Sequence, residues 1–99
     1  MPIGLRQGGF IFTEASIRMS APAASGVYVI YDAQGKYIYF GESNDVQRRL
    51  LEHLNDAGTC IKRNGPANFA FEVVAANLRV SRQDALIRAY PTPCNARLG

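Results

Sequence analysis

A single histidine and two cysteines in 99 residues leave little material for metal or redox chemistry. His53 alone excludes any centre built from several imidazole ligands. Cys60 and Cys94 stand apart, with no CxxC spacing, fit no zinc or redox motif, and read as two buried thiols. Long apolar runs are missing as well, for none approaches the ~18 residues of a membrane span. No charged segment followed by an apolar one opens the chain in the manner of a signal peptide. A soluble, cytoplasmic protein is the expectation. Repeats, low-complexity tracts and interdomain linkers are lacking too, so the length suits one domain with one core.

What is present is an ordinary globular composition, 47% hydrophobic and 10% aromatic. Eleven Lys and Arg against eight Asp and Glu give a net charge of +3. That balance permits a polyanionic partner without demanding one.

The aromatic residues are unevenly placed. Of five tyrosines, four fall in GVYVIYDAQGKYIYFGES, residues 26–43. VYVIY and YIYF are β-branched and aromatic, and DAQG between them supplies a turn, so a hairpin is predicted. Alternation puts Val27, Val29 and Tyr31 on one face and Tyr28 and Ile30 on the other. It pairs Tyr37 with Tyr39, opposite Ile38 and Phe40. Both faces are apolar, which predicts helices on both sides.

Before the hairpin, residues 1–9 read as a loose lead-in. Phe10 to Phe12 suit a short edge strand, and Thr13 caps a helix ending near Ser20. After it, NDVQRRLLEHLNDAG predicts a helix with Asn44 as cap, Gln47 as the reciprocal half of a capping box, and Gly58 as stop. TCIKRNGPAN (59–68) reads as a basic loop and FAFEVVAA (69–76) as a third strand. Ser81 is expected to cap a last helix, RQDALIRAY, with Asp84 at the capping-box position. The domain organisation expected is a lead-in over 1–25, a domain over 26–95 and a tail over 96–99.

On the first long helix Val46, Leu50, Leu54 and Ala57 form an apolar stripe. Asp45, Arg48, Glu52 and Asn55 face water. Arg49 and His53, one turn apart, lie beside the stripe and must point at the sheet or along its edge. Two readings stand open: an arginine snorkelling past a satisfied histidine, or a pair placed for chemistry. On the last helix Leu86, Ile87, Ala89 and Tyr90 form the inner face, and Gln83 falls within it. Its amide is either a structural polar plug or part of a site. Arginine forks bind phosphoryl oxygens, and tyrosine or histidine moves protons, so the set suits phosphate chemistry.

Gly26-Val27-Tyr28, then Tyr39-Phe40-Gly41, then Arg49 and His53, a later strand, a helix with Leu86-Ile87, a Pro-rich end and Asn95 together resemble the GIY-YIG nuclease superfamily. That group includes certain homing endonucleases, the first-incision half of bacterial repair nucleases and some restriction enzymes. The resemblance spans residues 26–95. It implies a small α/β sandwich whose central, mainly antiparallel, three-stranded sheet is flanked by helices. It implies divalent-metal-dependent cleavage of nucleic acid, DNA by preference, with Mg²⁺ or Mn²⁺ as cofactor. Under it Tyr28 helps activate the attacking water, Tyr39 orients the phosphate or its water network, and Arg49 stabilises developing charge. His53 assists proton transfer or contacts the phosphate. Gly26 and Gly41 allow close backbone approach, and Asn95 ties the tail to the site. Arg48, Lys62, Arg63 and Arg82 are the candidate contacts to nucleic-acid phosphates.

The chain departs from the family pattern at one position. The family's metal-ligating glutamate falls, counting back from Ile87, on Gln83. An amide oxygen can ligate Mg²⁺ but brings no charge, whereas such sites rest on one or two carboxylates. Asp84 turns outward, and Glu42 would define a different site. Feeble or absent cleavage is therefore expected of the chain as written. The alternatives are a nucleic-acid-binding module that does not cut and a structural domain with no nucleic-acid role.

Overall fold

A computed structural model describes the backbone of residues 7–56 and 59–98, and the side chains of 9–55 and 60–95. The stop expected at Gly58 lies outside the described residues.

The hairpin forms as β2 (Gly26–Tyr31) and β3 (Tyr37–Ser43). Between them the Asp32 carboxylate accepts the backbone N–H groups of Gln34 (3.0 Å) and Lys36 (2.8 Å), while Gly35 takes the left-handed conformation at φ +86°. β4 (Asn68–Val73) pairs with β2 on its other side, and β1 (Gln7–Ile11) pairs with β4. The sheet is thus four-stranded and antiparallel, in the order β1-β4-β2-β3. The expected trio, β4-β2-β3, forms all of it except the edge strand β1. β1 starts earlier than Phe10 and takes in residues assigned to the lead-in.

Among the described residues four α-helices cover it. α1 (Glu14–Ser20) is capped by Thr13, whose hydroxyl oxygen accepts the Ser16 N–H at 3.3 Å. α2 (Val46–Asp56) is capped by Asp45, which accepts the Arg48 N–H at 2.9 Å, and not by Asn44. Gln47 does not close a capping box. Its amide donates to the Ala21 carbonyl at 3.1 Å, pinning α2 to the end of α1. Residues 59–63, expected as loop, form the short helix α3 (Thr59–Arg63). α4 (Arg79–Ala89) follows a 3₁₀ turn at Ala76–Leu78 and begins before Ser81, whose hydroxyl donates to the Leu78 carbonyl instead of capping.

Each face of the sheet has its own core. Tyr28, Ile30, Ile38, Phe69 and Phe71 pack with Ile17, Val46, Leu50 and Ile61 from α1, α2 and α3. Val27, Val29, Phe40 and Ala70 pack with Leu86 from α4. Fully burying a side chain such as Ile30 or Leu50 contributes about 1.5–3 kcal/mol. Apolar residues on both faces of β2 are therefore what holds helices on both sides. Ala89, placed on the inner face by helical spacing, is exposed.

Two expectations fail for topological reasons. The pairing of β2 with β3 shifts register between Ile30 and Tyr31, so Ile30 faces Tyr39 while Tyr31 faces Tyr37. The extra residue turns Tyr37 to the α4 side, where it packs on Phe40 and Tyr90, and leaves Tyr39 on the α2 side. Tyr37 and Tyr39 do not share a face. Nor are the cysteines two thiols: Cys60 of α3 and Cys94 are joined in a disulfide across 34 residues, because the fold brings the tail against α3.

Candidate active site

The shift that separates Tyr39 from Tyr37 also creates a cluster. Tyr28 projects from the middle of β2 toward α2, and its hydroxyl and His53 Nε2 are hydrogen-bonded at 2.7 Å. Tyr39 closes the group, its ring centroid 6.3 Å from that of Tyr28 and 5.2 Å from that of His53. Gly41 lies opposite Tyr28 in the ladder. A Cβ at Gly41 would sit 2.3 Å from the Tyr28 hydroxyl and ring carbon, so only glycine lets the phenol lie over the strand. Gly26 is equally constrained, by the Glu72 carbonyl.

The cluster is graded from dry to wet. Tyr28 is 0% exposed and His53 8%, whereas the Arg49 side chain is 43% exposed. Burial pushes the Tyr28 phenol well above its ordinary range, with Tyr39 adding to the rise and the Arg49 guanidinium opposing it. Burial also pushes His53 down to about 4, helped by Arg49 and opposed by Glu52. Both are therefore neutral near pH 7. Either partner can donate in their hydrogen bond, depending on the histidine tautomer. Arg49 sits at the rim, one turn from His53 on α2, and donates to Glu52 at 2.9 Å. That same carboxylate accepts Arg48 at 2.8 Å, and the two arginines hold it below the usual carboxylate range, Arg49 more than Arg48.

Gln83 and Asn95 meet elsewhere, at the free edge of β3. Asn95 accepts the Phe40 N–H (2.8 Å) and donates to the Phe40 carbonyl (3.1 Å). Gln83, from α4, donates to that same carbonyl at 3.4 Å. The structure therefore joins Tyr28, Tyr39, Arg49 and His53 on the α2 side and binds Gln83 and Asn95 to the residue following Tyr39. Among the other candidates, Arg48 is tied to Glu52, and Arg82 lies against the sheet, paired with Glu72 at 2.8 Å. Lys62 and Arg63 are exposed on α3.

A second arginine escaped the reading of the sequence. Arg79 donates to Glu42 at 2.7 Å and to the Ser25 hydroxyl at 3.0 Å, clamping the residue after Gly41. Starting the last helix at Arg79 would have revealed it, since Arg79, Arg82, Gln83 and Leu86 then fall on one face.

A divalent ion anchored on carboxylates does not fit these residues. The position expected to carry the carboxylate holds a neutral amide whose N–H is given to a carbonyl, and Glu42 is taken by Arg79. Among the described residues no three His, Cys, Asp or Glu side chains gather into a group that could hold a metal ion.

A small antiparallel sheet with helices on both faces, carrying a tyrosine, histidine and arginine cluster on its α2 side, defines a compact domain of the α/β class. The GIY-YIG catalytic domain model matches residues 24–84, more than half of the chain, and the chain belongs to that family. It is also similar to the UvrABC system protein C of Dictyoglomus thermophilum, 43% identical over 35 residues. That match covers 35% of this chain and 6% of the relative. Among the described residues no helix is long and apolar enough to cross a membrane.

Proposed function

We propose that this chain is a GIY-YIG endonuclease domain that engages a DNA phosphodiester at the Tyr39–Arg49 rim. As written, it cleaves that bond feebly or not at all. The observation that carries this reading is the bond from Gln83 to the Phe40 carbonyl. A carboxylate has no proton to donate there. The amide thus fills the metal-ligand position as a structural plug.

The chain's own groups divide the work by exposure. Arg49 is placed to pair with phosphate oxygens through the face of its fork not held by Glu52. Tyr39, half-buried beside it, orients the phosphate or a water. Tyr28 and His53 lie behind, out of reach of bulk water, where the neutral hydrogen-bonded pair holds Tyr39 in place at the rim. A divalent ion, Mg²⁺ or Mn²⁺, would supply charge stabilisation at the scissile phosphate in a chain with glutamate at position 83.

The test is cleavage of branched, nicked and linear DNA in Mg²⁺ or Mn²⁺ by the chain and by Gln83→Glu. We expect Gln83→Glu to raise the rate by on the order of a hundredfold or more. Equal rates would remove Gln83 from the site. DNA binding without cleavage by either protein would select the second reading, a binding module that does not cut.

A further inference from the structure

Among the described residues, ion pairing sorts the lysines and arginines into two groups. Arg18, Arg48, Arg49, Arg79 and Arg82 each hold a carboxylate. Lys36, Lys62, Arg63 and Arg88 have no side-chain partner among the described residues, and all four are exposed. The topology gathers these four at one end of the sheet. Lys36 stands in the turn between β2 and β3. Lys62 and Arg63 end α3, and the segment leaving it crosses to the same end, where the Ala67 N–H donates to the Tyr31 carbonyl at 2.9 Å. Arg88 lies in the last turn of α4, two residues before Tyr90, whose ring is 5.5 Å from that of Tyr37 beside the turn. Asp32, the acid of this turn, gives its carboxylate to two backbone N–H groups. The carboxylates of Glu42 and Glu72 are neutralised by the start of α4, at the opposite end.

We infer that the hairpin-turn end is a second contact surface for the nucleic-acid backbone, built on Lys36, Lys62 and Arg63 with Arg88 at its flank. It rests on the reading that this domain handles nucleic acid, and it places the strand's path. The backbone that meets Arg49 continues past the α3 side toward the turn, and not along the start of α4. Unpaired cations bind phosphates without first giving up a protein carboxylate, and each phosphate neutralised releases counterions. Arg48 and Arg82, already paired, contribute little by comparison.

The experiment is a binding titration in EDTA, with a fluorescent DNA single strand and its duplex as probes, across a salt series. The proteins are the unaltered chain, Lys36→Gln, Lys62→Gln, Arg63→Gln, the triple variant, and Arg18→Gln as a control distant from the patch. The triple variant is expected to lose at least about tenfold in affinity near 50 mM salt, with a log–log salt slope shallower by about 2. The single variants share that loss, and Arg18→Gln loses less than any of them. A triple variant that binds like Arg18→Gln, or an unaltered chain that binds neither probe, overturns the inference. Because no metal is present, the result is independent of whether Gln83→Glu restores cleavage.

Discussion

Tyr28 and His53 show how much one buried hydrogen bond can set. Both side chains are polar, both are withdrawn from water, and they are hydrogen-bonded to each other at 2.7 Å. The cost of burying them is met only while the pair is neutral. His53 resists protonation down to about pH 4, against an ordinary value of 6.5. The unfolded chain therefore binds more protons than the folded one between those values, and stability falls as pH drops from 6.5 to 4. The loss attributable to His53 approaches about 3 kcal/mol at the low end. Urea melts of the chain and of His53→Gln across pH 4 to 7 check this. The variant should show a shallower decline, since the remaining acids are common to both. Identical pH profiles would place His53 in a wetter setting than its burial indicates.

At the scale of elements, the edge of β3 is the critical seam. An edge strand exposes unpaired backbone groups, and here the Asn95 side chain stands in for a missing fifth strand at Phe40. Thr92 donates to the same Asn95 oxygen, holding the side chain in place. Asn95→Ala leaves a buried N–H unpaired and should cost about 1–3 kcal/mol. Amide exchange at Phe40 should quicken by more than tenfold while amides inside β2 keep their relative order. No change at Phe40 would show that the tail is not what covers this edge. Gln83 shares the Phe40 carbonyl, so the seam also links the tail to α4.

At the scale of the whole molecule, the disulfide closes the chain on itself. Joining Cys60 to Cys94 across 34 residues restricts the unfolded ensemble, an effect of about 3–4 kcal/mol for a loop of that length. Cys60→Ser with Cys94→Ser, or reduction of the native chain, should lower the urea midpoint accordingly. The loss should be felt first at Asn95, the residue next to Cys94. Equal midpoints in oxidised and reduced protein would show that packing of Ile61 alone keeps α3 and the tail together.

The sequence alone determined the local and periodic features. The β2–β3 turn was legible because Gly35 and Asp32 encode it in four residues, and the two apolar faces of β2 follow from alternation. The placing of His53 and Arg49 beside the apolar stripe of α2 was legible from helical spacing, as was Gln83 on the inner face of α4. Tertiary structure decided the rest, because it depends on groups far apart in the chain. The register shift that sends Tyr37 away from Tyr39 arises between two paired strands. The Cys60–Cys94 bond, the Arg79–Glu42 clamp and the gathering of unpaired cations at one end of the sheet each join segments tens of residues apart. Periodicity reports which way a side chain points from its own element, and only packing reports what it meets there.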